Sequence, residues 1–313
     1  MIITVTLNPA LDKTLVLNRV SMGEVNRVDS TRNDMGGKGI NVSKVLKELG
    51  MISTATGFLG GILEEVFRKE LKCIGITDEF QSVSGNTRTN IKVVDEERKE
   101  YTEFNEPGPE ILPEELSDFY DKYHALVKEG DLVVLSGGVS QGVPKEIYGT
   151  LTKMAKEKGA RVLVDAEGEA LVQAIHEIPY MVKPNERELA GIVGKEALNV
   201  DEMIHEGEKL VKKGIQLVLI SRGAEGSILL TDHHTFMAEG LKVPVRSTVG
   251  AGDAMVAALA FGLEMKMNPK EMLTLAQASG AAAVMKEGTQ AATKEEIYAH
   301  VKDAERKIKG WKR

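Results

Sequence analysis

The sequence predicts an α/β protein in which a doubly wound, mostly parallel β-sheet carries helices on both faces and a small second β-sheet as a lid. Three observations lead there. Short apolar runs of strand length recur along the chain. Segments with helical periodicity separate them. Two β-branched stretches break that alternation.

The strand-like runs are Ile2–Leu7, Leu132–Leu135, Arg161–Val164, Tyr180–Val182 and Leu217–Ile220. Among the helical segments, Val42, Val45, Leu46 and Leu49 repeat at i, i+3, i+4 and i+7. Pro144 to Lys158 opens on a proline suited to a first helical turn, and Val200 to Lys213 alternates charge and apolar positions at helical spacing. From Pro269 onward the chain reads as helix-rich, with Leu273, Ala276, Gln277 and Gly280 on one face. Lys13 to Thr31 and Asn86 to Asn105 have no helical face and alternate like strands, the second around a polar turn near Asp95–Arg98. They read as antiparallel strands inserted at about 13–31 and 86–105 into a single domain spanning 1–313. A sheet inserted this way is a natural lid.

The composition is that of a soluble globular chain: 42% apolar and 28% charged residues, with net charge −7. An acidic balance without a basic face speaks against nucleic-acid binding. The basic end, Arg306 to Arg313, reads as a helix terminus with a frayed tail. The single cysteine, Cys73, excludes an internal disulfide and is expected to be a small buried apolar residue. No apolar run approaches membrane-spanning length, and the start of the chain lacks a secretory leader. A cytoplasmic protein without a membrane partner is the expectation.

Two glycine motifs carry the chemistry. In "STVGAGDAMVAALAFG" (Ser247–Gly262), Val256, Leu259, Ala260 and Leu263 have the spacing of a buried helix face, so a helix starts near Gly252. Its first N–H groups are unpaired and open over Gly250-Ala251-Gly252, which makes an anion pocket with Asp253 beside it. Asp253 is then either a helix-start acid favouring the dipole or a general base next to a hole for developing negative charge. The second motif is "MGGKGINVSKVLKELG" (Met35–Gly50). It fits neither a phosphate-binding P-loop nor a dinucleotide fingerprint. Gly36, Gly37 and Gly39 surround an exposed Lys38, and Asn41 follows on a first helical turn. This is either a capping turn or a site for a polyhydroxylated, phosphorylated ligand.

With "GGKGINVS" followed by Gly50 and Gly60, and "STVGAGDAMVAALA" in the right order behind it, the chain resembles the ribokinase-like PfkB carbohydrate kinases over nearly its whole length. It is most similar to their hexose-phosphate branch. The resemblance implies a ribokinase-like fold and ATP-dependent phosphorylation of fructose 1-phosphate at the 6-hydroxyl, with tagatose 6-phosphate as the alternative acceptor. ATP and Mg2+ are the implied co-substrate and cofactor. Asp253 would be the base, and Gly250, Ala251 and Gly252 the anion hole. A silent sugar-phosphate-binding regulator on the same fold would have lost these residues, and all are present.

The resemblance also assigns the remaining positions. Asp12, at the end of the first strand region in "NPALD", together with Gly36, Gly37 and Asn41, would bind sugar hydroxyls. Lys38 would meet the substrate phosphate, as would Ser136 and Gly138 in "LSGGVSQGVP". Arg27 and Arg88 lie on the lid stretches, where a guanidinium fork suits a sugar phosphate, and Asn90 faces the same side of its strand as Arg88. In "VKPNERE", Asn185 and Glu188 have the spacing of a capping box; in the family such a pair organises magnesium through water, with Lys183 near the ATP phosphates. Ser221, Gly223 and Gly226 in "SRGAEGS" would form the nucleotide loop. A lid with one apolar face suggests a homodimer paired through it.

Overall fold

The computed structural model describes residues 1–312. The chain opens on β1 (Ile2–Thr6) and passes into the lid with β2 (Ala10–Leu17) and β3 (Ser30–Gly36). It returns through α1 (Lys38–Glu48), β4 (Ser53–Gly60), α2 (Ile62–Ile74) and two short strands, β5 (Thr77–Asp78) and β6 (Gln81–Val83). The lid is completed by β7 (Arg88–Asp95) and β8 (Glu100–Phe104). A regular alternation follows: α3 (Pro113–Leu126), β9 (Leu132–Ser136), α4 (Ile147–Glu157), β10 (Arg161–Asp165), α5 (Gly168–His176), β11 (Met181–Val182), α6 (Glu186–Ile192), α7 (Val200–Lys212) and β12 (Leu217–Ser221). The last third holds β13 (Ser227–Leu230), β14 (His234–Ala238), α8 (Ala251–Glu264), α9 (Pro269–Val284), α10 (Lys294–Ala299), α11 (Val301–Arg306) and β15 (Ile308–Lys312).

The main sheet runs β15-β14-β13-β12-β11-β10-β9-β1-β4-β5, with β6 also paired to β4. It is parallel from β5 to β12 and antiparallel from β12 to β15. Side chains alternate across a strand, so each buried strand feeds two cores. Ile2, Val134 and Leu163 pack under α1, α8 and α9; Ile3, Val133 and Val164 pack under α3, α4 and α5. This double burial is why the strands read as unbroken apolar runs.

Several expectations are corrected. The basic end is not a frayed tail. Ile308–Lys312 pairs with β14 from Ala238↔Ile308 to His234↔Lys312, and Gly310 leaves room for the Phe236 ring. β4 (STATGFLG) passes unnoticed in the sequence because its Ser, Thr, Ala and Gly carry little apolar signal, yet all of it is buried between β1 and the β5/β6 edge. The helix expected from Pro144 begins at Ile147. Cys73 is exposed, because α2 buries Phe67 and Leu71 and Cys73 falls on the opposite face.

The lid is a sheet of order β3-β2-β7-β8, displaced from the expected bounds. Its strands reach beyond 13–31 at both ends, and residues 18–29 between them form no strand. Its central pair is parallel, from Ala10↔Arg88 to Leu17↔Asp95, whereas antiparallel pairing was expected. The reason is topological: β2 follows β1 and β7 follows β6, and these two strands of the main sheet point the same way, so both lid entries leave in one direction.

Candidate active site

Parallel strands β1, β9, β10, β11 and β12 end on one side, and a cavity of about 790 Å³ opens there beneath the lid. Thr6, Ser136, Asp165, Lys183 and Ser221 line it, each at or just after the carboxyl end of one of these strands. That is where open α/β sheets bind ligands, because the connections diverge there and leave a crevice.

Two helix N-termini, those of α1 and α8, open into the cavity behind Gly37 and Gly250, and no side chain caps either. Their first N–H groups and the positive dipole end therefore face the cavity unneutralised. Gly250 has φ +84°, which a side chain rarely adopts. At Gly252 an added Cβ would meet only Lys183 Nζ, at 3.6 Å, so the room there is cavity rather than protein packing. Ala251 contributes only to the backbone behind this hole and does not line the cavity. Gly36 also stands behind the wall: a Cβ there would lie 2.2 Å from Asp12 Oδ2, so its absence is what admits the Asp12 carboxylate.

Asp253 lies in the first turn of α8 and is buried. Asn41 Nδ2 donates to its Oδ2 at 2.8 Å, joining residues from α1 and α8 that lie 212 positions apart. Burial, then the negative charge of Asp165, push the Asp253 carboxyl up to about 6; the Asn41 hydrogen bond and the Lys38 and Lys183 charges oppose this. A helix-start acid that merely favoured the dipole would sit in solvent at its ordinary value. Asp253 is instead desolvated and poised to accept a proton near neutral pH.

Lys38 is half-buried rather than exposed. Its ammonium faces the Asp165 carboxylate, which holds its pKa above the ordinary value, with Asp253 and Glu188 adding to the effect. Lys183 Nζ contacts Asp165 Oδ1 at 2.9 Å, and both side chains are almost fully buried. Asp165 escaped the sequence reading. Its one signal is position, the first polar residue after the apolar run of β10 at the carboxyl end of a parallel strand.

From the lid come Asp12, Arg88 and Asn90, all lining the cavity. Asp12 belongs to lid strand β2 and does not end the first strand of the main sheet as expected. Asn90 Nδ2 donates to Asp12 Oδ1 at 2.9 Å, and burial raises the Asp12 pKa. Arg88 donates to the carbonyls of Glu106 (2.9 Å) and Asn8 (3.3 Å), which aim its guanidinium, and its buried Nε has no partner. Thr6 Oγ1, Asn41 Oδ1, Asn90 Oδ1, Ser136 Oγ and Thr289 Oγ1 are likewise buried without partners, although all their residues line the cavity. Orphaned polar atoms are costly, and several converging on one cavity fit a ligand rich in hydroxyl and phosphate oxygens.

Two expected positions stand differently. Arg27 is exposed in the segment between β2 and β3, no residue of which lines the cavity. Gly226 is a structural turn between β12 and β13: with φ +103°, an added Cβ would lie 2.0 Å from the carbonyl oxygen of Ala238. Gly226→Ala is therefore expected to destabilise the fold by about 3 kcal/mol, read as a fall in Tm, with KM for ATP unchanged in the folded protein. Asn185 and Glu188 line the cavity as the N-cap and N3 of α6: each side chain accepts from the other's backbone N–H, at 2.8 Å. Ser221, Gly223 and Gly138 line the cavity as expected.

The pattern described as "pfkB family carbohydrate kinase" matches residues 5–296. The chain belongs to the pfkB carbohydrate kinase family. A 1-phosphofructokinase from Xanthomonas campestris is 41% identical over 269 residues, 83% of each chain. One from Bacillus subtilis is 35% identical over 287 residues, 92% of this chain and 93% of that one. Among solved structures, phosphofructokinase-2 from Escherichia coli in complex with substrates and products superposes with TM-score 0.92 at 28% identity, covering 97% of this chain and 99% of that one. A tetrameric inhibited form of the same enzyme is also similar, with TM-score 0.88. The ribokinase-like fold is thus shared with pfkB kinases. As an ATP-dependent carbohydrate kinase, this pfkB protein transfers a phosphoryl group to a sugar hydroxyl, and its buried aspartate at an open helix N-terminus has the chemical character that transfer needs.

Proposed function

We propose that the protein phosphorylates fructose 1-phosphate at its 6-hydroxyl, using ATP and yielding fructose 1,6-bisphosphate and ADP. The observation that carries this reading is the juxtaposition of Asp253, desolvated and held by Asn41, with the uncapped N-terminus of α8 in a cavity lined by orphaned polar atoms. The names of the curated relatives favour fructose 1-phosphate over tagatose 6-phosphate.

The acceptor enters from the lid side. Asp12, Asn90 and Asn41 take its hydroxyls, and Arg88, Lys38 and the Ser136–Gly138 turn take its phosphate. Asp253 removes the proton of the 6-hydroxyl as that oxygen bonds to the γ-phosphorus. The bond from that phosphorus to the β-bridging oxygen breaks, and ADP leaves. The N–H groups of Gly250, Ala251 and Gly252 stabilise charge on the transferring group, with Lys183 beside them. Ser221 and Gly223 lie on the nucleotide side.

The cavity fits magnesium only in a water-rich form. Among the described residues no cluster of three or more acidic, histidine or cysteine side chains is built to hold a metal. Asn185 Oδ1 and Glu188 Oε2 accept backbone hydrogen bonds, and burial raises the Glu188 pKa. One Glu188 oxygen is left to hold the ion's water shell, which suits a metal that keeps its waters. Such an ion would offset phosphate charge.

Among the described residues no helix is long and apolar enough to cross a membrane. We place the enzyme in the cytoplasm because its co-substrate is ATP. We also assign it a homodimer. Leu15 and Val93 pair across β2 and β7 on the lid face opposite Asp12 and Asn90, and Phe104 on edge strand β8 is 59% exposed. A second lid across a two-fold axis would cover that face. Light scattering should return twice the chain mass, falling to the single-chain mass in Phe104→Asp; a wild type of single-chain mass rejects the dimer.

Initial ADP production with Mg-ATP and fructose 1-phosphate, tagatose 6-phosphate or fructose 6-phosphate tests the substrate. Fructose 1-phosphate should show the highest kcat/KM. A tagatose 6-phosphate preference would overturn the acceptor, and no turnover with any of the three would overturn the sugar-phosphate reading.

A further inference from the structure

Asp165 closes β10 with only 2% of its surface exposed. A carboxylate buried this deeply is not explained by stability: a buried ion pair loses in desolvation much of what it gains in attraction, and apolar residues of similar volume serve as well. Its surroundings explain it better. Lys183 binds it directly, and the same ammonium lies beside Gly252 at the anion hole. Lys38 faces it from α1, with its stem packed 3.4 Å from where a Cβ on Gly137 would stand, in the turn that takes the substrate phosphate. One carboxylate therefore acts on two cavity-lining lysines, Lys183 paired with it and Lys38 facing it, and Asp253 lies within the same field.

We propose that Asp165 is a positioning residue for phosphoryl transfer, the shared counter-ion of the cavity-lining Lys183, which it binds, and Lys38, which it faces, and a like charge toward the base Asp253. The proposal rests on the phosphoryl-transfer reading above and adds a residue that does not itself react. In the unliganded protein Asp165 keeps two ammonium groups oriented without phosphate. When phosphates arrive, the ammonium groups are already in place, so little reorganisation is needed during reaction.

Charged and titratable groups from several packed elements surround these two carboxylates. Asp253 faces Lys38 and Lys44 of α1, with Asn41 bonded to it, Asp165 at the end of β10 and Lys183 after β11. Asp165 faces Lys38, Lys183, Tyr148 of α4 and Glu188 of α6. Removing the Asp165 charge takes away a like charge and must lower the proton affinity of Asp253. Removing the Lys183 charge takes away an opposite charge and must raise it. A residue that only filled space would produce neither shift.

The test is the titration of Asp253 in the ligand-free full chain, followed by carbon-13 NMR of aspartate side-chain carboxyls, with Asp253→Asn identifying the resonance. The midpoint is expected to fall in Asp165→Asn and to rise in Lys183→Gln. Alongside, kcat with Mg-ATP and fructose 1-phosphate should drop at least about tenfold in Asp165→Asn, and the acid limb of its pH profile should move to lower pH. Midpoints that stay put, or that move the same way in both variants, overturn the proposal, even if the rate falls. If Asp165→Asn does not fold, Lys183→Gln decides alone: a raised midpoint supports the proposal, and an unchanged or lowered one overturns it. If the wild type phosphorylates no sugar phosphate, the functional reading fails separately, while the titration still decides the electrostatic role of Asp165.

Discussion

Asp253→Asn is expected to lower kcat by about 10²- to 10⁴-fold, the range in which a positioned general base contributes, while leaving KM for both substrates within a few-fold. The amide keeps the shape of the carboxylate and a partner for Asn41, so the loss reads on proton transfer rather than on folding. The wild-type pH profile should carry the same signature. Only ionised Asp253 accepts a proton, and burial places its pKa at about 6, so kcat/KM should fall as pH drops through about 6 and level off above it. Loss of that acid limb in Asp253→Asn would tie it to this residue. A variant retaining more than a tenth of wild-type kcat would remove Asp253 from the base role.

Arg88→Ala is expected to raise KM for the sugar phosphate by about 10- to 100-fold, as befits a lost charge-assisted hydrogen bond to phosphate, with KM for ATP unchanged. Arg88 is aimed by two carbonyls, one from the Asn8 turn and one from the return out of the lid, so it offers a pre-set guanidinium rather than a flexible one. Arg88→Lys should recover only part of the loss, because an ammonium lacks the planar fork. Equal rises in both KM values would point to a collapsed lid instead of a lost phosphate contact. Arg27→Ala is a useful contrast, since within one chain Arg27 does not line the cavity.

Much of this site is legible in local sequence because its parts are local devices. An open helix N-terminus needs glycine and a following helical period, and both motifs show them: Gly37 before α1 and Gly250 before α8. The Asn185–Glu188 box is equally local, since both of its hydrogen bonds close within one helical turn. What local pattern cannot supply is the company each side chain keeps. Lys38 reads as exposed because it stands among glycines, and it is half-buried because its stem packs beside the Gly137 turn. Cys73 reads as buried because it looks apolar, and it is exposed because Phe67 and Leu71 take the inner face of α2.

By itself the sequence determines the α/β alternation, the presence of a lid, the two open helix ends and Asp253 as a candidate base, because each follows from periodicity or backbone chemistry within a few residues. Tertiary structure alone decides that Asn41 holds Asp253 across 212 positions, that Asp165 pairs with Lys183 and faces Lys38, that the two lid entries run parallel, and that the charged C-terminal segment is an edge strand on β14. The physical reason is common to all four. Strand pairing and the energy of a buried charge depend on which partner the fold brings alongside, and the residue's own neighbours in the chain do not specify that partner.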